Sequence, residues 1–557
     1  VSDRFEMPSQ ENLSRMHFFK ISTGFLALLV LVASFQLPLK AQQIPTKTIR
    51  GQVVDKSSKS PLPGANVAVL TTDPVTGSST DADGTFAIPG VPTGRHTIQV
   101  SYIGYKTLTF ENQMVTSGKE YILQVEMEEN AIVGKEVEII ARQRKDQPVN
   151  PMALVGARSF TIDETSRYAG SYGDPARMVA NYAGVVSTRD NRNDIIIHGN
   201  SPFSLKYRID GMEILNPNHF GATGTTGGPV TMLNSNMLAN SDFLTGAFPA
   251  EYGNALSGLF DINMRNGNQA KREYWGQLGF NGLEFGLEGP FKKGKDASYL
   301  AAYRYSFTGL LEDLGIDLEE SADYQDLSFK LYFPVKNAGI FSLTGIGGIS
   351  KIAVLDSDKN PGDWLFDGHG EDLRSASRLA TLGLSHLYFF SKNTRIRSYL
   401  SFMHSGIETT IDTFSLASTN PYQQAGEKSE ENKASASVHL THKFNALNTL
   451  DAGLGFNGYQ VHYTDSQFVH GRYVYHTNTD QYLGLLSAYI ALQHRFHPKL
   501  NSSVGIHFQY LTLNNSIAIE PRLSLKWDLS PVSSLSFGIG MHSQMVPMML
   551  YFTQAEV

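Results

Sequence analysis

Cysteine is absent from all 557 positions of the sequence, which excludes a disulfide framework, thiolate metal sites and a catalytic thiol. Charged residues are also scarce, at 18% of the chain, and the formal net charge of −7 provides no basic footprint for nucleic acid. No nucleophile elbow, zinc-binding helix motif or phosphate loop occurs. Because these features are missing, we predict neither a cofactor nor a metal site, and the sequence favours a protein that is not an enzyme.

Glycine and aromatic residues are abundant instead. The chain has 50 Gly, 25 Tyr and 32 Phe, a composition that favours many turns and many strands over helices. A length of 557 residues corresponds to roughly two to four domains. We therefore expect a mainly β protein that consists of several domains.

The N-terminus has the pattern of an export signal. A basic start around Lys20 precedes an uncharged run over residues 21–39, and Ala41 follows as a small residue at a cleavage point. The alternative is a membrane anchor, since the run is just long enough to span a bilayer, although Pro38 shortens its apolar part. We predict that residues 1–41 are an N-terminal extension and a cleaved signal peptide, and that the chain is exported.

Residues 46–128 alternate apolar and polar side chains in short runs that turn residues interrupt. About seven such runs in about eighty residues predict a small β-sandwich. The motifs P-L-P-G-A-N-V, T-D-A-D-G-T-F and S-Y-I-G-Y-K resemble the carboxypeptidase-regulatory-like domain found ahead of many Bacteroidetes receptors. The acidic turn at Asp81 and Asp83 suggests calcium, but it lacks the third acidic position and the distant Glu of an EF-hand, and a hairpin turn fits it better.

The most informative stretch comprises residues 194–267. Two β-branched runs end there in His198-Gly199 and Asp210-Gly211, which is the pattern of strands that enter tight turns. The order I-I-I-H-G, Y-R-I-D-G, E-Y-G and I-N-M-R-N-G resembles the plug domain of TonB-dependent outer-membrane receptors. On this resemblance, the chain between residues 151 and 268 is predicted to be an α+β plug.

A short helix is predicted inside the plug. Asp174 is a suitable N-cap, Pro175 suits the first turn, and Gly184 is expected to end the helix. The glycine-rich run at residues 221–228 lacks the Gly-Lys-Ser/Thr of a phosphate loop, so we predict a loop of the plug there.

The resemblance implies roles for nine plug residues. The glycines permit tight turns or a close approach of backbones, Asp210 accepts hydrogen bonds from N–H groups of its turn, and Arg208 pairs with a carboxylate in the lumen. The alternative, that these residues only shape the plug fold, stays open. The plug-motif residues are His198, Gly199, Arg208, Asp210, Gly211, Glu251, Tyr252, Gly253 and Gly258.

Residues 129–150 have a charged, linker-like composition around one apolar cluster. One interpretation is a last strand of the sandwich or an isolated linker strand. The other, implied by the resemblance, is a TonB box, a segment that pairs edge to edge with a strand of the partner protein TonB. An extended, β-branched segment on a flexible tether suits such strand addition. The predicted box consists of Val137, Glu138, Ile139, Ile140 and Ala141.

Residues 272–557 form a series of long alternating runs. In one of them, Ala434 and Val438 fall on one face, while Lys433 and His439 fall on the other. Such faces fit either a half-buried soluble sheet or an outer-membrane barrel. Run lengths of roughly eight to twelve residues favour tilted membrane strands over soluble ones. We therefore predict an antiparallel transmembrane β-barrel in this part of the chain.

The number of predicted barrel strands is low. Roughly ten to twelve runs can be counted, whereas receptors of this kind close with about 22 strands. The chain ends in Q-A-E-V rather than in a final aromatic strand, and open sheet edges are not tolerated in hydrocarbon. The expectation is a partial barrel, in a sequence that is truncated at its C-terminal end.

As a whole, the resemblance implies a TonB-dependent outer-membrane transporter. TonB, energised by ExbB and ExbD, pulls on the box and rearranges the plug; the regulatory-like domain and the box are periplasmic, and outer-membrane lipid surrounds the barrel. The imported nutrient is expected to be an iron-siderophore complex, cobalamin, a glycan or a peptide. A SusD-like lipoprotein partner stays open, because E-I-I-A-R replaces the V-V-V-G-Y-G segment of SusC-like receptors. The alternative is a non-transporting adhesin or signalling receptor with the same fold.

Overall fold

The computed structural model describes most of the chain after the predicted signal peptide, which itself lies outside the described residues. The described residues are 45–117, 120–130, 141–142, 147–161, 164–165, 168, 170–279, 282–306, 308, 321–359, 369–415, 418–530 and 532–553. Across these ranges, no helix is both long enough and apolar enough to cross a membrane.

The N-terminal strands form two sheets around one apolar core, and we call this unit the N-terminal sandwich. The strands are β1 (Thr46–Asp55), β2 (Asn66–Val69), β3 (Thr76–Ser79), β4 (Thr85–Pro92), β5 (Gly94–Ser101), β6 (Leu108–Val115), β7 (Tyr121–Met127) and β8 (Ala141–Arg142). One sheet has the order β4-β1-β7 and the other the order β3-β2-β5-β6-β8. Alternate side chains, such as Ile49 and Val53 on β1 and Val67 and Val69 on β2, meet in the core, as a period of two requires.

The plug follows as a small α+β unit. Its elements are β9 (Ala157–Phe160), α1 (Pro175–Val179), β10 (Val185–Ser187), β11 (Ile195–Ile197), β12 (Leu205–Ile209), β13 (Met212–Ile214), β14 (Asn218–His219), β15 (Val230–Thr231), β16 (Ser241–Leu244) and β17 (Gly258–Ile262). The main sheet has the order β13-β12-β17-β16-β9, and β10-β11 and β14-β15 form two small sheets. Single 3-10 turns occur at Pro202–Ser204 and Ser235–Met237.

Helix α1 is shorter than predicted. Its start agrees with the sequence, since the Asp174 carboxylate accepts a hydrogen bond from the N–H of Ala176 at 2.8 Å and proline occupies the first turn. Its end does not, because the helix stops at Val179 instead of Gly184. The N–H of Tyr182 bonds to the carbonyl oxygen of Val179, three residues back, so the chain tightens into a turn before the glycine is reached.

Thirteen antiparallel strands form the C-terminal sheet, each paired with the next in sequence. They are β18 (Glu273–Gly279), β19 (Gly282–Pro290), β20 (Ser298–Tyr305), β21 (Ser321–Val335), β22 (Gly339–Leu355), β23 (His369–Ser391), β24 (Thr394–Ser415), β25 (Ser418–Lys443), β26 (Asn448–Val469), β27 (Arg472–His497), β28 (Leu500–Leu511), β29 (Ser516–Ser530) and β30 (Ser533–Gly540), with 3-10 turns at Asp356–Asp358 and Met548–Tyr551. The number exceeds the predicted ten to twelve because short strands such as β18 and β20 alternate over too few residues to stand out.

The two faces of this sheet differ as the alternation predicts. Val438 and Leu454 are 45% and 68% exposed on the outer face, whereas Lys433 and His507 are 1% and 2% exposed and contact the plug. Apolar side chains outside and polar side chains inside are the pattern of an outer-membrane barrel wall. The fold is therefore mainly β, with a sandwich, a plug and a barrel-type sheet.

The plug core continues into the inner face of the sheet. In the plug, the rings of Tyr207 and Phe260 stack with their centroids 5.0 Å apart. Leu300, Ile346 and Met403 of the barrel-type sheet belong to the same buried apolar cluster. The main core of the plug therefore extends into the barrel wall, while a smaller cluster around Phe248 and Leu259 consists of plug residues alone.

Candidate functional site

Most of the predicted TonB box lies outside the described residues, namely Val137, Glu138, Ile139 and Ile140. Its last residue, Ala141, forms strand β8 with Arg142 and pairs in parallel with Leu108 and Thr109 of β6. The end of the predicted box is thus attached to the N-terminal sandwich. This pairing is the arrangement that the alternative interpretation, a last strand of the sandwich, describes for Ala141.

The Asp210-Gly211 turn joins β12 to β13 and reaches the barrel wall. Both residues have positive φ, 46° and 89°, which suits glycine and is uncommon for aspartate. Asp210 Oδ1 accepts a hydrogen bond from the N–H of Met264 at 3.0 Å, and Asp210 Oδ2 lies 3.0 Å from Lys330 Nζ. A Cβ on Gly211 would stand 2.3 Å from the ring of Tyr399. The turn therefore holds plug and wall together.

Arg208 lies at the centre of a partly buried acid cluster of the plug. Its guanidinium is 3.6 Å from Glu251 Oε1 and 3.7 Å from Asp261 Oδ1, and it sits over the Tyr252 ring at 5.2 Å. Burial alone would lower the pKa of Arg208, but the carboxylates of Asp261 and Glu251 raise this pKa well above its usual value. Arg208 therefore stays charged, and both of these carboxylates belong to the plug.

The E-Y-G segment, within a loop that we define as residues 248–253 and call the E-Y-G loop, attaches the plug to β28 and β29. Arg522 Nη1 donates to the carbonyl oxygens of Pro249 at 2.6 Å and Tyr252 at 2.7 Å. His507 Nδ1 lies 2.7 Å from the carbonyl oxygen of Ala250. A Cβ on Gly253 would stand 2.0 Å from His507 Nε2, so glycine is required by close packing against the wall.

The remaining motif residues shape the plug itself. His198 and Gly199 have φ of 51° and 78° in an exposed turn after β11, and the N–H of His198 donates to the carbonyl oxygen of Gly184 at 2.8 Å. Gly258 begins β17, where a Cβ would stand 2.2 Å from Ile197 Cδ1. The structure thus brings Arg208, Glu251 and Tyr252 together but leaves His198 and Gly199 away from them.

Two residues of this site were not singled out from the sequence. Asp242, 2% exposed on β16, accepts hydrogen bonds from the backbone N–H groups of Val149 and Asn150, both at 2.7 Å. Burial, with the nearby Asp261 and Glu126 charges, raises the pKa of Asp242 to about 7 against the effect of these hydrogen bonds. The only sequence signal was a lone carboxylate in the apolar stretch S-D-F-L.

The Asn150 side chain connects the linker to the E-Y-G loop. Asn150 Nδ2 donates to Glu251 Oε1 at 2.8 Å and to the Tyr252 hydroxyl at 2.9 Å. The Tyr252 hydroxyl in turn donates to Asp261 Oδ2 at 2.7 Å. One amide therefore joins the residues before the plug to the acid cluster around Arg208.

The plug meets the described wall in two ways. Near β20 and β21, the plug is hydrogen-bonded to two charged wall residues, Arg304 and Asp326. Arg304 Nη2 donates to the carbonyl oxygen of Thr231 in the plug at 2.5 Å and to Asp326 at 2.6 Å. His219 Nε2 of the plug lies 2.9 Å from Asp326. Opposite β24 to β27 a cavity of about 140 Å³ separates plug and wall. Its lining includes Glu213, Ser401, Ser435, Ser437, Asn457 and Ser487.

The N-terminal sandwich contacts the wall through ion pairs. Asp55 Oδ2 lies 2.5 Å from Lys443 Nζ, with both side chains buried, and Glu128 Oε1 lies 3.0 Å from Arg495 Nη1. Burial alone would raise the pKa of Glu128, but Arg495 and Lys106 outweigh it and lower this pKa to about 2. An acidic face of the sandwich therefore meets a basic end of the sheet.

Sequence comparisons identify relatives of two parts of the chain. The model of the carboxypeptidase regulatory-like domain family matches residues 48–128. The TonB-dependent transporter Oar of Myxococcus xanthus is 24% identical over 277 residues, which cover 47% of this chain and 24% of Oar. The chain thus spans about a quarter of the length of that curated relative.

Two solved structures align with more than two thirds of the chain. A variant of the ferric enterobactin receptor PfeA from Pseudomonas aeruginosa aligns with a TM-score of 0.50 at 14% identity, over 70% of this chain and 62% of that one. The outer-membrane transporter YddB from Escherichia coli aligns at 0.48 and 14% identity, over 69% and 60%. These relatives are transporters and receptors, not enzymes. With a regulatory-like domain ahead of a plug and a sequential antiparallel sheet, the chain has the fold of a TonB-dependent outer-membrane receptor.

Proposed function

We propose that this chain acts in TonB-driven import of a scarce nutrient across the outer membrane. The observation that carries the proposal is how the plug is attached to the wall. Asp210 with Lys330, the Thr231 carbonyl oxygen with Arg304, and the E-Y-G loop with Arg522 are polar contacts at the inner face of an apolar-outside sheet. Polar contacts can be exchanged for water, so the parts of the plug that they attach can be displaced by force and can return.

The partner in this proposal is TonB. It binds residues 137–141 by strand addition, and the ExbB–ExbD pair supplies energy from the inner-membrane proton gradient, since no ATP reaches the outer membrane. Pairing of Ala141 with β6 supports the ability of this segment to join a sheet edge. TonB therefore competes with the sandwich for the end of the box.

The proposed location of the sandwich is the periplasmic side. Its Ser60 hydroxyl donates to the carbonyl oxygen of Lys392 at 2.6 Å, in the short turn between β23 and β24, and Lys443 lies at the end of β25. The long connections, from Tyr305 to Ser321 and from Leu355 to His369, lie at the opposite end of the sheet. Outer-membrane barrels have short periplasmic turns and longer external loops.

The proposed substrate is an iron-siderophore complex, cobalamin, a glycan or a peptide. The receptor PfeA is named for ferric enterobactin, but a likeness in fold does not carry that ligand to this chain. A SusD-like lipoprotein remains a proposed partner only for the glycan or peptide case, in which a lid closes over the barrel.

Deletion of residues 136–142 tests the proposal. In cells that carry the full-length protein, we expect the deletion to abolish uptake of the nutrient while surface binding is retained. The control replaces the same seven residues with a Gly/Ser segment of equal length, which restores the tether but not the β-pairing side chains, and the same loss is expected. Uptake that survives both changes would contradict TonB-driven transport through this segment, and binding without uptake in the unmodified protein would favour the adhesin or signalling function.

A further inference from the structure

Among the described residues that follow the predicted box, Val149 and Asn150 are the first that are hydrogen-bonded to the plug. Asn150 follows Ala141 by nine positions. The backbone N–H groups of Val149 and Asn150 both end on the Asp242 carboxylate, and the Val149 carbonyl oxygen accepts a hydrogen bond from Lys59 Nζ at 3.1 Å. Within the described part of the linker, a pull from its N-terminal side therefore reaches these hydrogen bonds before it reaches a strand of the main plug sheet.

Asp242 is placed to resist such a pull. Its carboxylate lies on β16, between β17 and β9 in the main plug sheet, and it is buried. The consecutive backbone N–H groups of Val149 and Asn150 donate hydrogen bonds to its two oxygens. Hydrogen bonds to a carboxylate are stronger than those between neutral groups. The linker is thus attached to a central strand and not to a surface loop.

Asn150 carries the attachment further, to the wall. Its amide bonds to Glu251 and Tyr252, whose loop is held to β28 and β29 by His507 and Arg522. Displacement of Asn150 removes a donor from both residues of the loop. An acceptor left without its donor is costly, so the loop residues tend to follow the amide when the linker is displaced.

We propose that Asp242 and Asn150 are positioning residues for transport, Asp242 by holding the linker at rest and Asn150 by passing its displacement to the E-Y-G loop. This inference rests on the TonB-driven function proposed above. It assigns to the loop the first movement of the plug away from the wall, at β28. The Arg208 cluster is then opened from its Glu251 and Tyr252 side.

A single cysteine can report this movement, because the chain has no other. Ala250 is 2% exposed. It packs against Gly505 of β28, since a Cβ built on Gly505 would stand 2.8 Å from the Cβ of Ala250. Ala250→Cys should therefore resist a membrane-impermeant thiol reagent at rest. In cells with an intact proton gradient and saturating nutrient, we expect its labelling to rise, and collapse of the gradient with a protonophore should abolish the rise.

Asn150→Ala in this Ala250→Cys background is the decisive variant. We expect surface binding of the nutrient to be unchanged, while uptake and energised labelling fall at least about tenfold. A fall of this size corresponds to the loss of one hydrogen bond to a charged group, here the bond from Asn150 to Glu251. Asn150→Gln keeps the donor amide and should recover part of both signals. Asn181→Ala is the matched control, since Asn181 is an exposed plug asparagine that bonds only within its own turn; its uptake and labelling should equal those of the parent.

The outcomes separate this inference from the function on which it rests. If deletion of residues 136–142 abolishes uptake while Asn150→Ala transports and labels like the parent, the roles proposed for Asp242 and Asn150 are wrong and the TonB-driven function stands. If the deletion leaves uptake intact, the TonB-driven function itself is wrong. Equal levels of folded protein in the outer membrane, measured by heat-modifiable migration, exclude a failure of Asn150→Ala to fold.

Discussion

The N-terminal sandwich and the plug bury their apolar side chains in different ways. The sandwich core, with Val53, Phe86 and Ile98, draws only on strands of the sandwich. The plug core around Phe260 includes Leu300 of the barrel-type sheet. The core of the sandwich is therefore complete without the wall, whereas the main core of the plug includes residues of the wall.

This difference determines how each unit can leave the wall. The sandwich is attached by ion pairs such as Asp55 with Lys443, so separation exposes charged groups that water can solvate. The plug is attached by polar contacts and also by a shared apolar cluster, whose exposure is unfavourable in proportion to its area. Detachment of the whole sandwich should therefore be easier than removal of the whole plug, and local movement of the plug easier than either complete separation.

Expression of the two units as separate fragments should show the largest contrast. We expect residues 45–130 to unfold in a single cooperative urea transition, because their core is complete. Residues 147–270 should show no such transition, because part of their core lies in the barrel wall. Circular dichroism and amide dispersion in NMR spectra distinguish the two states, and a cooperative transition in the plug fragment would contradict a shared core.

The second contrast is between aromatic residues in the two cores. Phe260 is fully buried and its ring lies 4.6 Å from that of Phe243, so Phe260→Ala should destabilise the plug by about 3–5 kcal/mol. Phe86→Ala in the sandwich is the matched control and should lower only the sandwich transition. Denaturation in detergent, followed by fluorescence and protease resistance, measures both. If Phe86→Ala also lowered the plug transition, the two cores would not be independent.

The third contrast concerns the ion pairs that hold the sandwich. Lys443→Met leaves the Asp55 carboxylate buried without its cation, and docking should weaken by about 3 kcal/mol. The control Lys271→Met removes a lysine whose side chain is 46% exposed and pairs with Glu120, and it should cost about 0–1 kcal/mol. Binding of the isolated sandwich to a receptor that lacks it measures both affinities. Equal losses would mean that burial does not determine this contact.

The last contrast is the pH dependence of Asp242, where the linker between the two units ends. Its pKa of about 7 in the folded plug exceeds the unfolded value of about 4. Between these values the folded state holds a proton that the unfolded state has released, so stability falls as pH rises from about 4 to about 7, by at most about 1.4 kcal/mol per unit. Denaturation at several pH values should show this slope in the unmodified protein but not in Asp242→Asn. A slope that persists in the variant would assign it to another group.

Local patterns explain which parts of the site could be predicted. The D-G motif indicated a strand that enters a tight turn, and β12 ends in such a turn, with positive φ at Asp210 and Gly211, because turn geometry depends on neighbouring residues. Partners across the fold could not be predicted in the same way. Thr344, which donates to Asp210, lies 134 positions away, and no local pattern records such a contact.

The sequence by itself determined the alternation of strand faces, the turns and the order of sandwich, plug and barrel strands, because each depends on residues within a few positions of one another. Only the tertiary structure decided which charges meet. Lys443 and Asp55 pair across 388 positions, and Asn150 reaches Glu251 across 101. The physical reason is that burial and ion pairing depend on distance in space, which the chain establishes only when the sandwich, the linker, the plug and the wall pack together.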